Sequence, residues 1–158
     1  MSAALTTGSL APDFTLPRDG GGEISLQALL PGKVVLYFYP RDDTPGCTLE
    51  AQDFTRLIAE FQAAGTTVIG ISKDSVAAHD KFCRKHGLGI ILASDEHGTT
   101  SEDYGTWGEK KNYGKTYMGI TRTTFLIGSD GRIAQIWPKV KVAGHAQVVL
   151  EAARALPG

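Results

Sequence analysis

The chain has 158 residues, 42% of them hydrophobic and 21% charged, with a net charge of -1. That length suits one domain, 1–158, with a proper core. The near-neutral balance excludes a basic field for nucleic acid, an acidic tail and a polybasic membrane patch. No apolar run approaches the ~20 residues that a membrane span needs. The opening MSAALTTGSLAPDFTL has neither the basic nor the apolar region of a signal peptide, so a cytoplasmic setting is expected.

In chain order, DFTLPRDGGGEISL (13–26) reads as a hairpin turning at Gly20–Gly22. VVLYFY (34–39) is a near-continuous β-branched and aromatic run, the pattern of a strand covered on both faces. Residues 44–64 carry a helical stripe of Cys47, Ala51, Phe54, Ile58 and Phe61, read as one helix stopped by Gly65. TVIGIS (67–72) and GIILAS (89–94) resemble the first buried strand. Between them Ser75 to His86 reads as a helix ending before Gly87. EDYGTWGEKKNYGK reads as irregular, with Tyr104, Trp107 and Tyr113 covering a sheet edge. TTFLI (123–127) and RIAQIW (132–137) flank GSDG as a hairpin, and GHAQVVLEAARAL closes the chain as an amphipathic helix. The order implies an α/β, thioredoxin-like layout: a mixed central sheet flanked on both faces by helices, parallel βαβ crossovers, and an N-terminal β-hairpin.

Two cysteines 36 positions apart, Cys47 and Cys83, form neither a CxxC redox pair nor a zinc knuckle. In a reducing compartment a lasting thiol asks for a chemical explanation. Cys47 stands where a strand ends at Tyr39, Pro40 breaks it, and RDDTPG leads into a helix. Thr44 fits the N-cap and Pro45 the N1 position, which puts Cys47 at about N3. Unpaired backbone N–H groups and the helix dipole favour an anion there. Such sites lower a thiol pKa from ~8.5 to between ~3.5 and 7.5, and ~6 would raise the thiolate fraction at pH 7 from ~3% to ~90%. Nucleophilicity falls along with pKa, so other groups must orient the electrophile and stabilise its leaving oxygen. The competing reading is a small core hydrophobe at the start of the apolar stripe.

YPRDDTPGCTLE carries the pattern P-x-x-x-T-x-x-C at Pro40, Thr44 and Cys47. With APDFTL, TRTTFLIGSDGRI and VKVAGHAQVVLEA, it resembles the peroxiredoxins of the bacterioferritin-comigratory or PrxQ subfamily over essentially the whole chain. The resemblance implies a monomeric thiol peroxidase without metal, haem or flavin, acting on hydrogen peroxide and organic hydroperoxides. It makes Cys47 the peroxidatic nucleophile, passing through a sulfenic acid. Thr44 would hold thiolate and peroxide through its hydroxyl, Pro40 would shield the pocket from water, and Arg122 would stabilise the developing charge.

Many such proteins place a resolving cysteine five residues after the first, but here that residue is Gln52. Others resembling this chain carry it on the following helix, at the position of Cys83. The resemblance thus implies a Cys47–Cys83 disulfide recycled by thioredoxin or a similar dithiol protein. A one-cysteine peroxidase, a general disulfide oxidoreductase and a redox-sensing or chaperone-like module are the alternatives. Two packed helices rarely bring chosen Cα atoms within about 7 Å, so local unwinding around Cys47 and Cys83 is expected on oxidation. On a helical wheel Val76, Phe82 and Cys83 face inward, opposite a sector of charged residues. His79, Cys83 and His86 share a ~60° sector, but no fourth ligand is suggested nearby and no metal site is expected. His97 and His145, at a turn and a helix start, are expected to carry no chemistry.

Overall fold

The computed structural model describes residues 5–158; residues 1–4, which begin the stretch read as lacking a signal peptide, lie outside the described residues. A two-stranded ribbon opens the chain, β1 (Thr15–Pro17) against β2 (Glu23–Ser25), followed by a single turn, α1 (Leu26–Leu29). Then come β3 (Lys33–Phe38), α2 (Pro45–Arg56), α3 (Ile58–Ala63), β4 (Thr66–Ser72), α4 (Val76–His86) and β5 (Ile91–Ser94). After α5 (Thr100–Asp103) and a ribbon of β6 (Trp107–Asn112) and β7 (Lys115–Ile120), the chain ends with β8 (Thr123–Ile127), β9 (Ile133–Trp137) and α6 (His145–Ala155).

The five-stranded sheet runs β5-β4-β3-β8-β9. β3 is its middle strand, parallel to β4 (Val35 opposite Val68) and antiparallel to β8 (Val35 opposite Leu126). That position explains its unbroken apolar run, because both edges are paired and both faces covered. Its side chains alternate between two cores. Val35, Tyr37 and Tyr39 pack with Cys47 and Phe54 of α2, Phe61 of α3, Phe82 of α4 and Val149 of α6. Val34, Leu36 and Phe38 pack with Phe14, Leu26, Tyr104 and Phe125. The expected mixed sheet with flanking helices and an N-terminal hairpin is present, but the flanking is uneven. The longer helices share one face, and α1, the N-terminal ribbon and the end of α5 close the other.

Two elements differ from the sequence reading. The stripe over 44–64 is two helices broken at Leu57, whose N–H bonds back three residues to Phe54 O at 3.2 Å. Phe54, Leu57 and Phe61 still face one core, so the break leaves the apolar periodicity intact and no Gly or Pro marks it. The stretch 102–115 is not irregular: β6 and β7 form a hairpin turning at Tyr113 (φ 51) and Gly114 (φ 76), as a two-residue mirror-image turn requires. It lacks a buried face, with most of β7 exposed, so it shows no alternating apolar signal. Tyr104 and Trp107 do cover the sheet, whereas Tyr113 is exposed.

Phe54 shows where stability is concentrated. Its ring stacks 4.7 Å from Tyr37 and 5.8 Å from Phe61 and is fully buried. Phe54→Ala is expected to destabilise the fold by about 3–5 kcal/mol. Denaturant unfolding measures this directly; a loss below about 1 kcal/mol would mean that the sheet and α2 are not packed as described.

Candidate active site

α2 begins as its sequence dictates. Thr44 is extended (φ -94, ψ 155) at the N-cap position, Pro45 is the first helical residue, and Cys47 falls at N3. The cap itself differs, because the Thr44 hydroxyl donates to Arg41 O at 3.1 Å and makes no side-chain cap bond. Pro40 ends the β3 run and is exposed. Cys47 is 1% exposed, a free thiol against the aromatic core.

Arg122, in the link between β7 and β8, reaches this sulfur from the opposite side of the chain. Its Nη2 lies 3.4 Å from Cys47 Sγ, and its Nη1 donates to Glu50 Oε1 at 2.6 Å. Two features let the guanidinium in. Gly46 has no side chain, and a Cβ there would stand 3.2 Å from Nη2. Behind it, Val140 N donates to Arg122 O at 2.9 Å and fixes the backbone. Burial works against the charge on Arg122, but Glu50 and the Cys47 sulfur outweigh it and hold the guanidinium protonated.

Nothing in the sequence reading gives Glu50 a role. It is 1% exposed, and its second oxygen, Oε2, has no hydrogen-bond partner. Burial pushes its carboxyl up to about 7, with Arg122 pulling the other way. The available signal was a glutamate three residues after Cys47, on the buried side of the stripe, which calls for a cation from elsewhere in the fold. Cys47, Arg122 and Glu50 therefore make a largely buried row: sulfur, guanidinium fork, carboxylate. Such a row stabilises negative charge on sulfur, or on an oxygen leaving beside it.

Cys83 lies on α4, half-buried and free, bordering the same core as Cys47. Its Sγ faces Asp19 Oδ2 at 3.8 Å, and burial together with Asp19 pushes the thiol up to about 12. One turn earlier His79 is fully buried, with Nδ1 2.7 Å from Asp42 Oδ2 and Nε2 3.1 Å from Ala93 O. His86 instead turns to Asp43. The sector shared by His79, Cys83 and His86 on the wheel thus divides among three different partners. Among the described residues, Asp42, Asp74 and His79 bring ligand atoms within 4.8 Å of one another. These atoms are already satisfied internally, Asp74 Oδ2 by Asp42 N (2.8 Å) and Ser72 Oγ (2.6 Å), so they form a hydrogen-bonded cluster.

His97 is exposed beside Glu96. His145 is buried, with Nε2 2.8 Å from Thr124 Oγ1. Burial, helped by Arg122, lowers its pKa to about 4, so the ring is neutral. Among the described residues no helix is long and apolar enough to cross a membrane.

The profile of the AhpC/TSA family matches residues 7–136. Peroxiredoxin Bcp of Xanthomonas campestris is 46% identical over 143 residues, covering 90% of this chain and 89% of that protein. A solved structure of Xanthomonas campestris peroxiredoxin Q superposes with a TM-score of 0.87 at 44% identity, covering 97% of each chain. A second, of the bacterioferritin comigratory protein of that organism and concerned with its alkyl peroxide reduction activity, gives a TM-score of 0.87 at 42% identity over 98% of each.

Proposed function

This chain belongs to the AhpC/TSA family, among the Bcp/PrxQ peroxiredoxins, and from that premise we propose how its own residues carry out thiol peroxidase chemistry. Cys47 is the peroxidatic residue. The observation that carries this is the Arg122 Nη2 held 3.4 Å from its buried sulfur at the start of a helix. An electron pair of the Cys47 thiolate attacks the terminal oxygen of a hydroperoxide and the O–O bond breaks. Sulfur gains that oxygen as a sulfenic acid, and the other fragment leaves as alkoxide or hydroxide and is protonated to alcohol or water. Arg122 faces the charge throughout, the Thr44 hydroxyl accepts as it stands and donates to the peroxide only after turning away from Arg41 O, and Pro40 limits the access of water.

Cys83 then attacks the sulfenic sulfur, water leaves, and a Cys47–Cys83 disulfide forms. A dithiol protein of the thioredoxin type reduces it by thiol exchange, restoring both thiols. Burial against Asp19 makes Cys83 a poor nucleophile where it stands. It acts only after α4, and the first turn of α2, unwind far enough to bring the two Cα atoms within about 7 Å. Both cysteines stand in one chain, so a monomer in a reducing cytoplasm suffices for the cycle.

The test is peroxide consumption coupled to NADPH through thioredoxin and its reductase. Cys83→Ser is expected to lose at least about tenfold in sustained turnover. Peroxide-treated wild type should lose two hydrogens in mass, whereas Cys83→Ser should gain one oxygen. Undiminished cycling by the variant would assign regeneration to an external thiol. Consumption by wild type that stops near one equivalent would indicate a sensor.

A further inference from the structure

We propose that His79 and Asp42 form a buried lock between the Cys47 loop and α4, and that this lock positions Cys83 away from Cys47 until it opens. The inference rests on the resolving role proposed above for Cys83. Asp42 lies between Pro40 and Thr44, in the loop that delivers Cys47; His79 precedes Cys83 by one helical turn. Ala93 O can only accept, so His79 Nε2 carries a proton; the Asp42 carboxylate also accepts, so Nδ1 carries another. Tyr39 donates its hydroxyl to the other oxygen of Asp42, and Asp74 receives the Asp42 N–H. The same loop is tied again at the far end of α4, where Asp43 takes Lys85 Nζ at 2.7 Å and His86 Nε2 at 2.9 Å. The exposed ties to Asp43 contribute little. Opening the buried one strands a charge, and this makes it the controlling contact.

The groups facing His79 are Tyr39 from the end of β3, Asp42 from the loop, Asp74 before α4 and, from β5, the Ala93 carbonyl. Asp80 on its own helix is engaged by Gly20 N, and Asp19 faces Cys83. Burial opposes the imidazolium, but Asp42 and Ala93 O outweigh it and raise the His79 pKa above the ordinary 6.5. The sign follows. The lock is fully present below 6.5 and is lost as pH rises through the raised value.

The experiment follows disulfide formation in single turnovers with one equivalent of hydrogen peroxide, in wild type and His79→Gln, from about pH 5.5 to about pH 9. At the acid end the variant is expected to close its disulfide roughly tenfold faster. The ratio of the two rates should fall towards one with rising pH, because ionisation of Cys83 accelerates both proteins equally and cancels. A ratio of one throughout, or any ratio independent of pH, overturns the lock. Hydrogen exchange on reduced wild type is the second measurement and uses no cysteine chemistry. Protection of the α4 amides, corrected for intrinsic exchange, should fall over the same pH range. Unchanged protection overturns the proposal even if the variant fails to fold. Protection that falls in a protein forming no disulfide would support the lock and refute Cys83 as the resolving residue.

Discussion

Cys47→Ser is expected to reduce peroxide consumption to the uncatalysed rate. A thiolate sulfur can give an electron pair to peroxide oxygen and end two electrons more oxidised, as the sulfenic acid. A serine oxygen has no such state, since its attack on a peroxide would only make another peroxide. The fold should survive the change. The two side chains are nearly equal in size, and the new hydroxyl can accept from Arg122, which stands 3.4 Å from the present sulfur. Loss of stability should stay within about 1–2 kcal/mol, the range for an imperfectly satisfied buried hydroxyl. The paired measurements are peroxide loss and denaturant unfolding. Consumption by the variant clearly above background would transfer the first step to Cys83, against a thiol pushed up to about 12.

Arg122→Leu is expected to slow oxidation of Cys47 by about 10²–10³-fold, the usual loss when one preorganised donor is taken from a developing oxyanion. The variant should also change how stability depends on pH. In wild type Glu50 goes from an ordinary 4.5 to about 7 on folding, so stability is greatest below 4.5 and declines as pH rises to about 7. Without the guanidinium the opposing pull vanishes, the folded pKa climbs further, and the decline continues above pH 7. Wild-type Glu50 adds no further decline there, and the decline carried by His79 is common to both proteins. Adding Glu50→Gln to Arg122→Leu should abolish that extra decline yet leave oxidation slow, which separates the structural cost from the chemical one. Arg122→Lys should restore charge but only part of the rate, because an ammonium cannot serve Glu50 and Cys47 together as a planar fork does. A wild-type oxidation rate in Arg122→Leu would remove this residue from the mechanism and leave Cys47 dependent on its helix terminus alone.

The stability of the site and its reactivity are linked through the same few contacts. Phe54 and Tyr37 stack two turns beyond Cys47, so the body of α2 is anchored to the core and only its first turn has to unwind. On the other side it is approached by charges: Arg122 at the sulfur, and the Asp42 and Asp43 ties to α4. A redox cycle that needs α4 to open can therefore break polar contacts while the aromatic core of β3 and α2 persists. In the proposed cycle the sheet carries the folded state and the polar ties carry the switch.

The start of α2, the buried strand β3, the helix stops at Gly65 and Gly87, and the terminal hairpins were legible in the residues themselves. They depend on capping, proline geometry, turn residues and apolar period, all acting over a few neighbours. The same locality explains what was misread. A helix break at Leu57 that preserves its apolar face has no periodic signature, and neither does the β6–β7 ribbon without a buried side. The role of Glu50 and the union of Arg122 with Cys47 span 72 and 75 positions, and the His79–Asp42 contact spans 37. Which charge meets which is set by the order of strands in the sheet, because β8 lies beside β3 and carries the link with Arg122 to the mouth of α2. The sequence alone determined that a sulfur stands in the first turn of a helix. Only the tertiary structure decided its partners, since a buried charge is stable only where chain topology brings its counterion.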